Sequence, residues 1–530
     1  MEYRVFIPCA GTGSRLGSLT SHINKALVTI ANKPAISHII DKVEETVPIV
    51  IALGYKGKTV RDFLALAYPK RKFIFVEIDL FEGKGSGLGY TLLKCKEHLQ
   101  CPFIFCSNDT IVDEAPPKPD HNWMGYSEAP DTTHYRSVRI KNNLVSEICS
   151  KGAMGDVKPY IGLCGIRDFE AFWNAMETGG ELAIDTGESF GLRSLVEKNI
   201  VPMHFTWHDT GNLDNLKLTR ERLARMDAPN ILDKEEEAIW FVGGQVLKFS
   251  TDEEFIRKRV ERVKYLAPYV PQITASSSNI YAYRKVEGEM FSENSRLGDY
   301  IYLLDWLGKF WVKKELDAAE SGRFSKACAD FYKAKTYKRV RQFFERFEQM
   351  DAEETINGVE MPKLLDMLDS LDWEWICKGV PTRFHGDLHF ENILINHDQK
   401  IPFTLLDWRQ DFGGIMEYGD VYYDLAKLNH GLIISHELIN KNLFNVRRKV
   451  NRIEFDFLRK QNLVECEDYF RSFVHKHGYD YKKVRLMTYL IYLNIAALHH
   501  YPYSLLLFYL GKSGIYRIIK ENWQNGHHII

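Results

Sequence analysis

The chain has 530 residues, 45% of them hydrophobic and 26% charged, with a formal net charge of −2. That length exceeds one ordinary domain and fits roughly two to four, with the composition of a soluble globular protein. The near-neutral balance excludes any electrostatic reason to expect nucleic acid, and nine cysteines without a C-x-x-C pair indicate neither a zinc site nor a disulfide framework. Reduced thiols in a cytoplasmic enzyme are the simple reading. The start, MEYRVFIPCAG, lacks the basic residues, apolar run and cleavage site of a secretory signal.

The first ~220 residues alternate short β-like runs with helical stretches, which predicts an α/β sheet. Strands are expected at Val5–Ile7, Ile49–Leu53, Phe73–Val76 and Phe103–Cys106, and helices at Ala35–Val43 and Thr59–Leu66. The first strand runs directly into Ala10-Gly11-Thr12-Gly13-Ser14-Arg15-Leu16, and Asn24-Lys25-Ala26-Leu27 follows. Backbone N–H groups of such a glycine loop can cradle phosphates. A dinucleotide fold would place a ribose-binding acid at the end of the second strand, where this chain reads Ala52-Leu53-Gly54-Tyr55. Arg15 and Lys25 point instead to a triphosphate. Further along come Gly85-Ser86-Gly87-Leu88-Gly89, Cys106-Ser107-Asn108-Asp109, Lys151, Gly180-Glu181-Leu182 and Trp207-His208-Asp209-Thr210-Gly211. Taken alone, the last of these also makes an ordinary turn.

The set resembles the sugar-phosphate nucleotidylyltransferase family over about residues 1–225. That family begins G-x-G-x-R followed by P-K, and Asn24 stands where the proline is usual. The resemblance implies a Rossmann-like (GT-A-like) mixed sheet. It also implies nucleotide binding by Gly11, Gly13 and Gly87, a metal pair in Asp109 and Asp209, and a substrate-phosphate contact at Lys151. In that chemistry a substrate phosphate oxygen attacks the α-phosphorus of a nucleoside triphosphate and pyrophosphate leaves. Arg15 can stabilise the departing pyrophosphate, Lys25 can bridge to the α-phosphate, and the two carboxylates can hold Mg²⁺.

Met226 to Glu237 is polar, carries Pro229 and an acidic run, and is the best linker candidate. It divides the chain into 1–225 and 226–530, the latter with an N-lobe at about 229–290 and a helical C-lobe at about 291–530. Ala238–Val242, a Gly243-Gly244 turn and Gln245–Phe249 predict a β-hairpin. From about Leu297 the chain reads as mostly helical, with Phe324, Cys328, Phe331, Val340, Phe344 and Phe347 on a core-packing stripe. Then comes Phe384-His385-Gly386-Asp387-Leu388-His389-Phe390-Glu391-Asn392-Ile393-Leu394, followed by Leu405-Leu406-Asp407-Trp408. An Asp on a loop, an Asn five residues on and a later strand-end Asp supply the three oxygen groups that γ-phosphoryl transfer needs. Leu486 to Leu510 is strongly apolar, but Asn494, His499, His500 and Pro502 favour a buried helical pair over a membrane span.

This half resembles the aminoglycoside phosphotransferase and choline kinase family over roughly residues 230–530, which implies a protein-kinase-like α+β fold. By that resemblance Lys248 grips nucleotide phosphates, Asp387 is the catalytic base, and Asn392 and Asp407 are metal ligands. Glu261 is the expected helix partner of Lys248, with Glu254 second. Asp420, in Gly419–Ala426, is expected to brace the catalytic loop, and His385 and His389 to brace it rather than bind zinc. A G-x-G-x-x-G loop is missing, and Asn230–Glu236 takes its place. Asp411-Phe412-Gly413 spells the protein-kinase D-F-G, so Asp411 is the rival of Asp407, but no A-P-E follows.

Kinase and nucleotidylyltransferase steps are consecutive, so the whole chain reads as a bifunctional cytoplasmic enzyme. It would use Mg²⁺, ATP and a second NTP (CTP, UTP, GTP or dTTP). Its partners would be small molecules, with no nucleic acid and no membrane insertion; a homo-oligomer stays open. An NDP-sugar for a capsule or other surface glycan is preferred narrowly over a CDP-alcohol made from choline or ethanolamine. A cation cage built from Trp408, Tyr418, Tyr422 and Tyr423 would favour choline. A kinase with a non-catalytic, nucleotide-sensing N-terminal module is the third reading.

Overall fold

A computed structural model describes residues 2–128, 133–224, 235–294, 296–396 and 400–524. The chain forms two compact units, Met1–Ile256 with Ile273–Lys285, and Arg257–Gln272 with Val286–Ile530. The first is built on a nine-stranded mixed sheet. Arg4–Cys9 lies between Phe103–Cys106 and Ile49–Leu53, parallel to both, and Phe73–Glu77 extends the parallel set. Lys158–Ile166 then pairs antiparallel with Phe103–Cys106.

Ile49–Leu53 is buried along its whole length, as a strand covered on both faces must be. Side chains of the first strand alternate between two cores. Val5 and Ile7 join Leu27 and Phe63 on one face, and Phe6 joins Leu92 and Phe105 on the other. Because the first strand has parallel neighbours on both sides, the chain leaves its carboxyl end at a crevice between diverging connections. The glycine loop and Asp109 both follow strands at this edge.

The expected strands at Ile49–Leu53 and Phe103–Cys106 form over those residues. The helix expected at Ala35–Val43 ends earlier, at Ile40. There the i−3 bonds Lys42 to Ile39 and Val43 to Ile40 tighten the backbone out of the α-helix.

The hairpin forms over Glu237–Val242 and Gln245–Ser250. Gly243 and Gly244 both have positive φ (57° and 72°), which the tight turn requires. It belongs to the first unit. Trp240 is fully buried, meets Phe63 edge-on at 5.1 Å, and donates from Nε1 to Thr29 Oγ1 at 3.0 Å. Phe241 N–H also bonds the Asn32 carbonyl at 2.9 Å. The compact units therefore divide elsewhere than at residue 225. The expected linker lies outside the described residues through 234, as does most of the Asn230–Glu236 segment.

The second unit is largely helical. Leu297–Phe310, Ala318–Ala329 and Lys335–Arg346 precede the His385 loop, with Asp317 and Glu320 forming a capping box on the second. A π-helical turn over Asp330–Ala334 inserts one extra residue into the helical phase. The buried stripe consequently runs Phe324, Cys328, Phe331, Thr336, Val340 and Phe343. Phe344 and Phe347, expected on the stripe, are half-buried, and Phe343 stacks on Phe508 at 4.3 Å instead. Short strands Glu354–Ile356 and Val359–Met361 also interrupt the expected helical run. The apolar segment near the C-terminus folds as two helices, Tyr481–Ala496 and Tyr503–Gln524. Among the described residues no helix is long and apolar enough to cross a membrane.

Candidate functional site

In the first unit, Asn24 organises the glycine loop. Fully buried, it donates from Nδ2 to the Cys9 carbonyl at 2.9 Å and to the Tyr55 carbonyl at 2.6 Å, while its Oδ1 accepts from Ala26 N–H at 2.9 Å. The residue that departs from the family's proline therefore ties the ends of two strands together and sets Lys25. Gly13 has φ 69°, and a Cβ there would lie 2.9 Å from Lys25 Cβ, so only glycine fits.

Lys25 Nζ donates to Asp109 Oδ2 at 2.6 Å, and Arg15 Nη2 lies 3.7 Å from the same oxygen. Ser107 Oγ donates to Asp109 Oδ1 at 2.5 Å. Burial alone would raise this carboxyl; Lys25, Ser107 and Arg15 outweigh it and hold Asp109 below its usual range. Trp207–Asp209 pairs antiparallel with Thr110–Val112, so Asp209 lies opposite Thr110. Asp209 Oδ2 accepts from Tyr135 Oη at 2.8 Å and from Asn215 Nδ2, and its Oδ1 accepts from Gly211 N–H at 2.7 Å. A Cβ built on Gly211 would lie 2.9 Å from Asp209 Oδ1, 3.5 Å from Asp109 Oδ2 and 3.7 Å from Arg15 Nη1. Both carboxylates and the guanidinium thus border one small space that a side chain at 211 would fill. Two hard oxygen donors facing a common space fit Mg²⁺.

The structure brings Arg15, Lys25, Asp109 and Asp209 together. Ser107, Tyr135 and Asn215, which orient the carboxylates, were not anticipated; no motif marks them, because strand pairing and a helix turn bring them in. Gly87 lies elsewhere in the same unit, where a Cβ would meet the Ile184 carbonyl at 2.8 Å, and Gly89 approaches Ala183 more closely still. Those glycines let the helix Leu88–Cys95 approach Gly180–Thr186. Lys151 is exposed on the turn after Leu144–Cys149. Glu188 was also missed. Burial, reinforced by the like charge of Asp109 and opposed by Arg136, pushes it up to about 7.

In the second unit the His385 loop is held from both sides. Asp424, fully buried, accepts from His385 N–H and Gly386 N–H, each at 2.7 Å, and from Trp311 Nε1 at 3.1 Å. Arg262, fully buried, donates to the carbonyls of Phe384, Arg409, His385 (3.2 Å) and Met416 (3.0 Å). The brace expected of Asp420 is therefore supplied by Asp424, one helical turn later. Asp420 instead caps the helix at Tyr422 N–H and holds Val380 N–H and Tyr332 Oη. Burial raises Asp424 to about 6 and lowers Arg262 to about 9.

Asp387 projects from this loop. Its Oδ1 is 2.8 Å from Lys427 Nζ; its Oδ2 is 3.4 Å from Asn392 Nδ2 and 3.6 Å from His389 Nε2. Lys427 and His389 overcome burial and hold Asp387 well below the usual carboxylate range. Burial likewise opposes a charged His389, but Asp387 and Glu391 raise it to about 9. Leu406 N–H bonds the Asn392 carbonyl at 2.7 Å, which places Asp407 beside Asn392. Asp407 has φ 56° and pairs with Arg259. The rival Asp411 is held in a turn by Gly414 N–H at 3.1 Å and by Lys258 at 2.9 Å. Lys248 is buried on the hairpin's second strand, in the first unit. Glu261 accepts from Arg257 one turn earlier at 2.6 Å.

The four aromatic residues after the loop do not form an open cage. Trp408 is fully buried; Lys314 lies 4.3 Å from the Tyr418 ring, Lys483 4.5 Å from Tyr422 and Lys335 5.8 Å from Tyr423.

No protein-family profile matches the chain. Among curated proteins, the bifunctional protein GlmU of Methanocaldococcus jannaschii is 35% identical over 109 residues, covering 20% of this chain and 25% of that protein. GlmU of Methanococcus maripaludis is 33% identical over 110 residues, covering 21% and 25%. The chain thus spans about a quarter of the length of the curated relatives it matches. Among solved structures, CTP:phosphocholine cytidylyltransferase from Streptococcus pneumoniae is 18% identical, covering 42% of this chain and 100% of that one with a TM-score of 0.35. A UDP-glucose pyrophosphorylase from Acinetobacter baumannii is 16% identical, covering 42% and 92%, also with a TM-score of 0.35. About a fifth of the chain is thus similar in sequence to part of GlmU.

Three outcomes are expected from these geometries. Gly211→Ala fills the space between Asp109 and Asp209 and should weaken Mg²⁺ binding by about tenfold or more, measured by calorimetry, with an unchanged melting temperature. Glu188 keeps its proton in the fold where the unfolded chain has released it, so stability falls as pH rises from about 4.5 through about 7. Denaturant titrations across that window should show the slope in the wild type and its loss in Glu188→Gln. Asp424→Asn turns one acceptor into a donor against two buried N–H groups and should cost about 1–3 kcal/mol in chemical denaturation.

Proposed function

We propose that the chain is a bifunctional enzyme. Its C-terminal half phosphorylates a small hydroxyl metabolite with ATP. The N-terminal domain then transfers a nucleotidyl group from a second NTP to that phosphate, releasing pyrophosphate and yielding an NDP-activated sugar. The observation that carries this reading is the space at Gly211, bordered by Asp109, Asp209 and Arg15 with Lys25 on the Asp109 carboxylate. Both reactants there are anions, so neutralising charge is the central task, and this cluster offers cations and metal-ligating oxygens together.

In this reading Arg15 and Lys25 bind the triphosphate, and the backbone of Gly11 and Gly13 cradles it. Asp109 and Asp209 would hold Mg²⁺, which when bound neutralises phosphate charge and orients the attacking oxygen. Gly87 would lie along the nucleotide and Lys151 would meet the substrate phosphate. In the kinase, Asp387 orients the acceptor hydroxyl and takes its proton, Asn392 and Asp407 supply oxygens for Mg²⁺, and Lys248, with Glu261 or Glu254, serves the ATP phosphates. Asp387 is a weak base, but this chemistry depends chiefly on positioning, which the clamped loop provides. The domain division of the proposal is 1–225 and 226–530, although the hairpin packs with the first unit.

A sugar product is favoured over a CDP-alcohol because the aromatic residues that would enclose a choline cation carry protein ammonium groups or are buried.

Two variants separate the activities. Asp387→Asn should lower ATP-dependent phosphorylation of the free acceptor by about a hundredfold or more, while nucleotidyl transfer to the phosphorylated acceptor continues. Asp109→Asn should do the reverse. ADP and pyrophosphate are measured separately, with phosphorylated sugars and amino alcohols screened against four NTPs. Loss of both activities in either folded variant would count against two independent sites.

A further inference from the structure

The surroundings of Asp387 are asymmetric. Its Oδ2 faces Asn392 and His389. Its Oδ1 faces Lys427, and behind Lys427 is a run of cations. Tyr423, one helical turn before Lys427, has Lys335 5.8 Å from its ring centroid. Lys335 lies 4.3 Å from the Phe331 ring, and Arg409 lies 4.7 Å from that same ring. Arg409 leads back to the loop, since its N–H bonds the His385 carbonyl at 3.0 Å and its Cβ crowds Gly386. Asp387, Lys427, Tyr423, Lys335, Phe331 and Arg409 therefore close a ring.

Within it, Asp387 is the one carboxylate and Lys427 already neutralises it. Among the described residues, Lys335 and Arg409 have no carboxylate partner, and Arg409 Nε is buried without a hydrogen-bond acceptor. Burial, then Arg409, Lys427 and Arg339, outweigh the opposing charge of Asp387 and hold the Lys335 ammonium well below its usual range. Two unneutralised cations on one ring are unfavourable unless an anion joins them. The π-helical turn Asp330–Ala334 contributes Phe331 to the ring and ends just before Lys335, so a local departure from α-helix shapes this wall.

We propose that the alcohol phosphorylated at Asp387 is itself anionic: a small hydroxyl compound whose carboxylate or phosphate seats on Lys335 and Arg409. This rests on the reading of Asp387 as the kinase base. In the step, the acceptor hydroxyl oxygen forms a bond to the γ-phosphorus of ATP. The bond from that phosphorus to the β,γ-bridging oxygen breaks, ADP leaves with the electron pair, and the hydroxyl proton passes to Asp387. The ATP phosphates are the competing occupant of the same cations. The acceptor is favoured because Lys427, which leads to these cations, meets Oδ1, whereas Asn392 and His389 meet Oδ2.

The test uses the full chain with MgATP, measuring ADP release with matched acceptors: D-glycerate against glycerol, D-gluconate against D-glucose, and choline. The acid of at least one pair should exceed its neutral partner in kcat/KM by about tenfold or more, the value of a charge-assisted hydrogen bond. Lys335→Gln should raise KM for that acid about tenfold with KM for ATP unchanged, and Lys335→Arg should restore it. Equal or better use of neutral or cationic acceptors overturns this inference and leaves the kinase reading standing. A rise in KM for ATP in Lys335→Gln assigns the cations to the nucleotide and also overturns it. ADP release with none of the acceptors removes the kinase reading, and this inference with it.

Discussion

The His385 loop is suspended between two buried charges of opposite sign. Asp424 takes its N–H groups and Arg262 takes its carbonyls. Each charge is costly to bury, and each is compensated by backbone dipoles rather than by a mobile counter-ion. The loop cannot shift without leaving a buried charge unsatisfied. Asp387 inherits that rigidity, and so do the contacts around it, because Lys427 shares the helix of Asp424 and the Arg409 carbonyl accepts from Arg262. Arg262 also packs over the Phe384 ring at 4.2 Å, which adds apolar contact to the electrostatic hold.

The N-terminal crevice solves a different problem with a similar device. Asp109 follows the end of a parallel strand, Asp209 sits on a short antiparallel pair beside it, and Thr210 N–H bonds the Asp109 carbonyl at 3.1 Å. Backbone pairing, not a side-chain contact, sets the spacing of the two carboxylates. Lys25 keeps Asp109 ionised despite burial, and Gly211 keeps the space between them open. A charged site is thereby held ready without collapsing on itself.

Much of this was legible in the sequence, where local pattern and chemistry coincide. Strands such as Ile49–Leu53 are written as continuous apolar runs, and Gly13, Lys25, Asp109 and Asp209 lie in motifs whose residue types the proposed chemistry would use. The residues that orient them were not legible. Tyr135 and Asn215 reach Asp209 only through tertiary pairing, and Arg262 looks like one more cation on an amphipathic helix. Asp420 and Asp424 are chemically alike and four residues apart, so only their depth and direction tell which one holds the loop. The π-helical turn left no mark in the hydrophobic period until Phe343 replaced Phe344 in the core. The hairpin was readable as a hairpin, but not as part of the first core, because Trp240 gives no sign in sequence of which sheet it will cover.

That last feature bears on how such a chain can be inherited. Two catalytic modules joined by a polar tether could be exchanged freely by cutting at the tether. Here the indole of Trp240 lies against Phe63, and the hairpin backbone bonds Asn32. Recombination at residue 225 would strip one fragment of its cover and leave the other with an exposed aromatic edge. A cut at residue 225 would therefore fall inside the first compact unit, not between the two units.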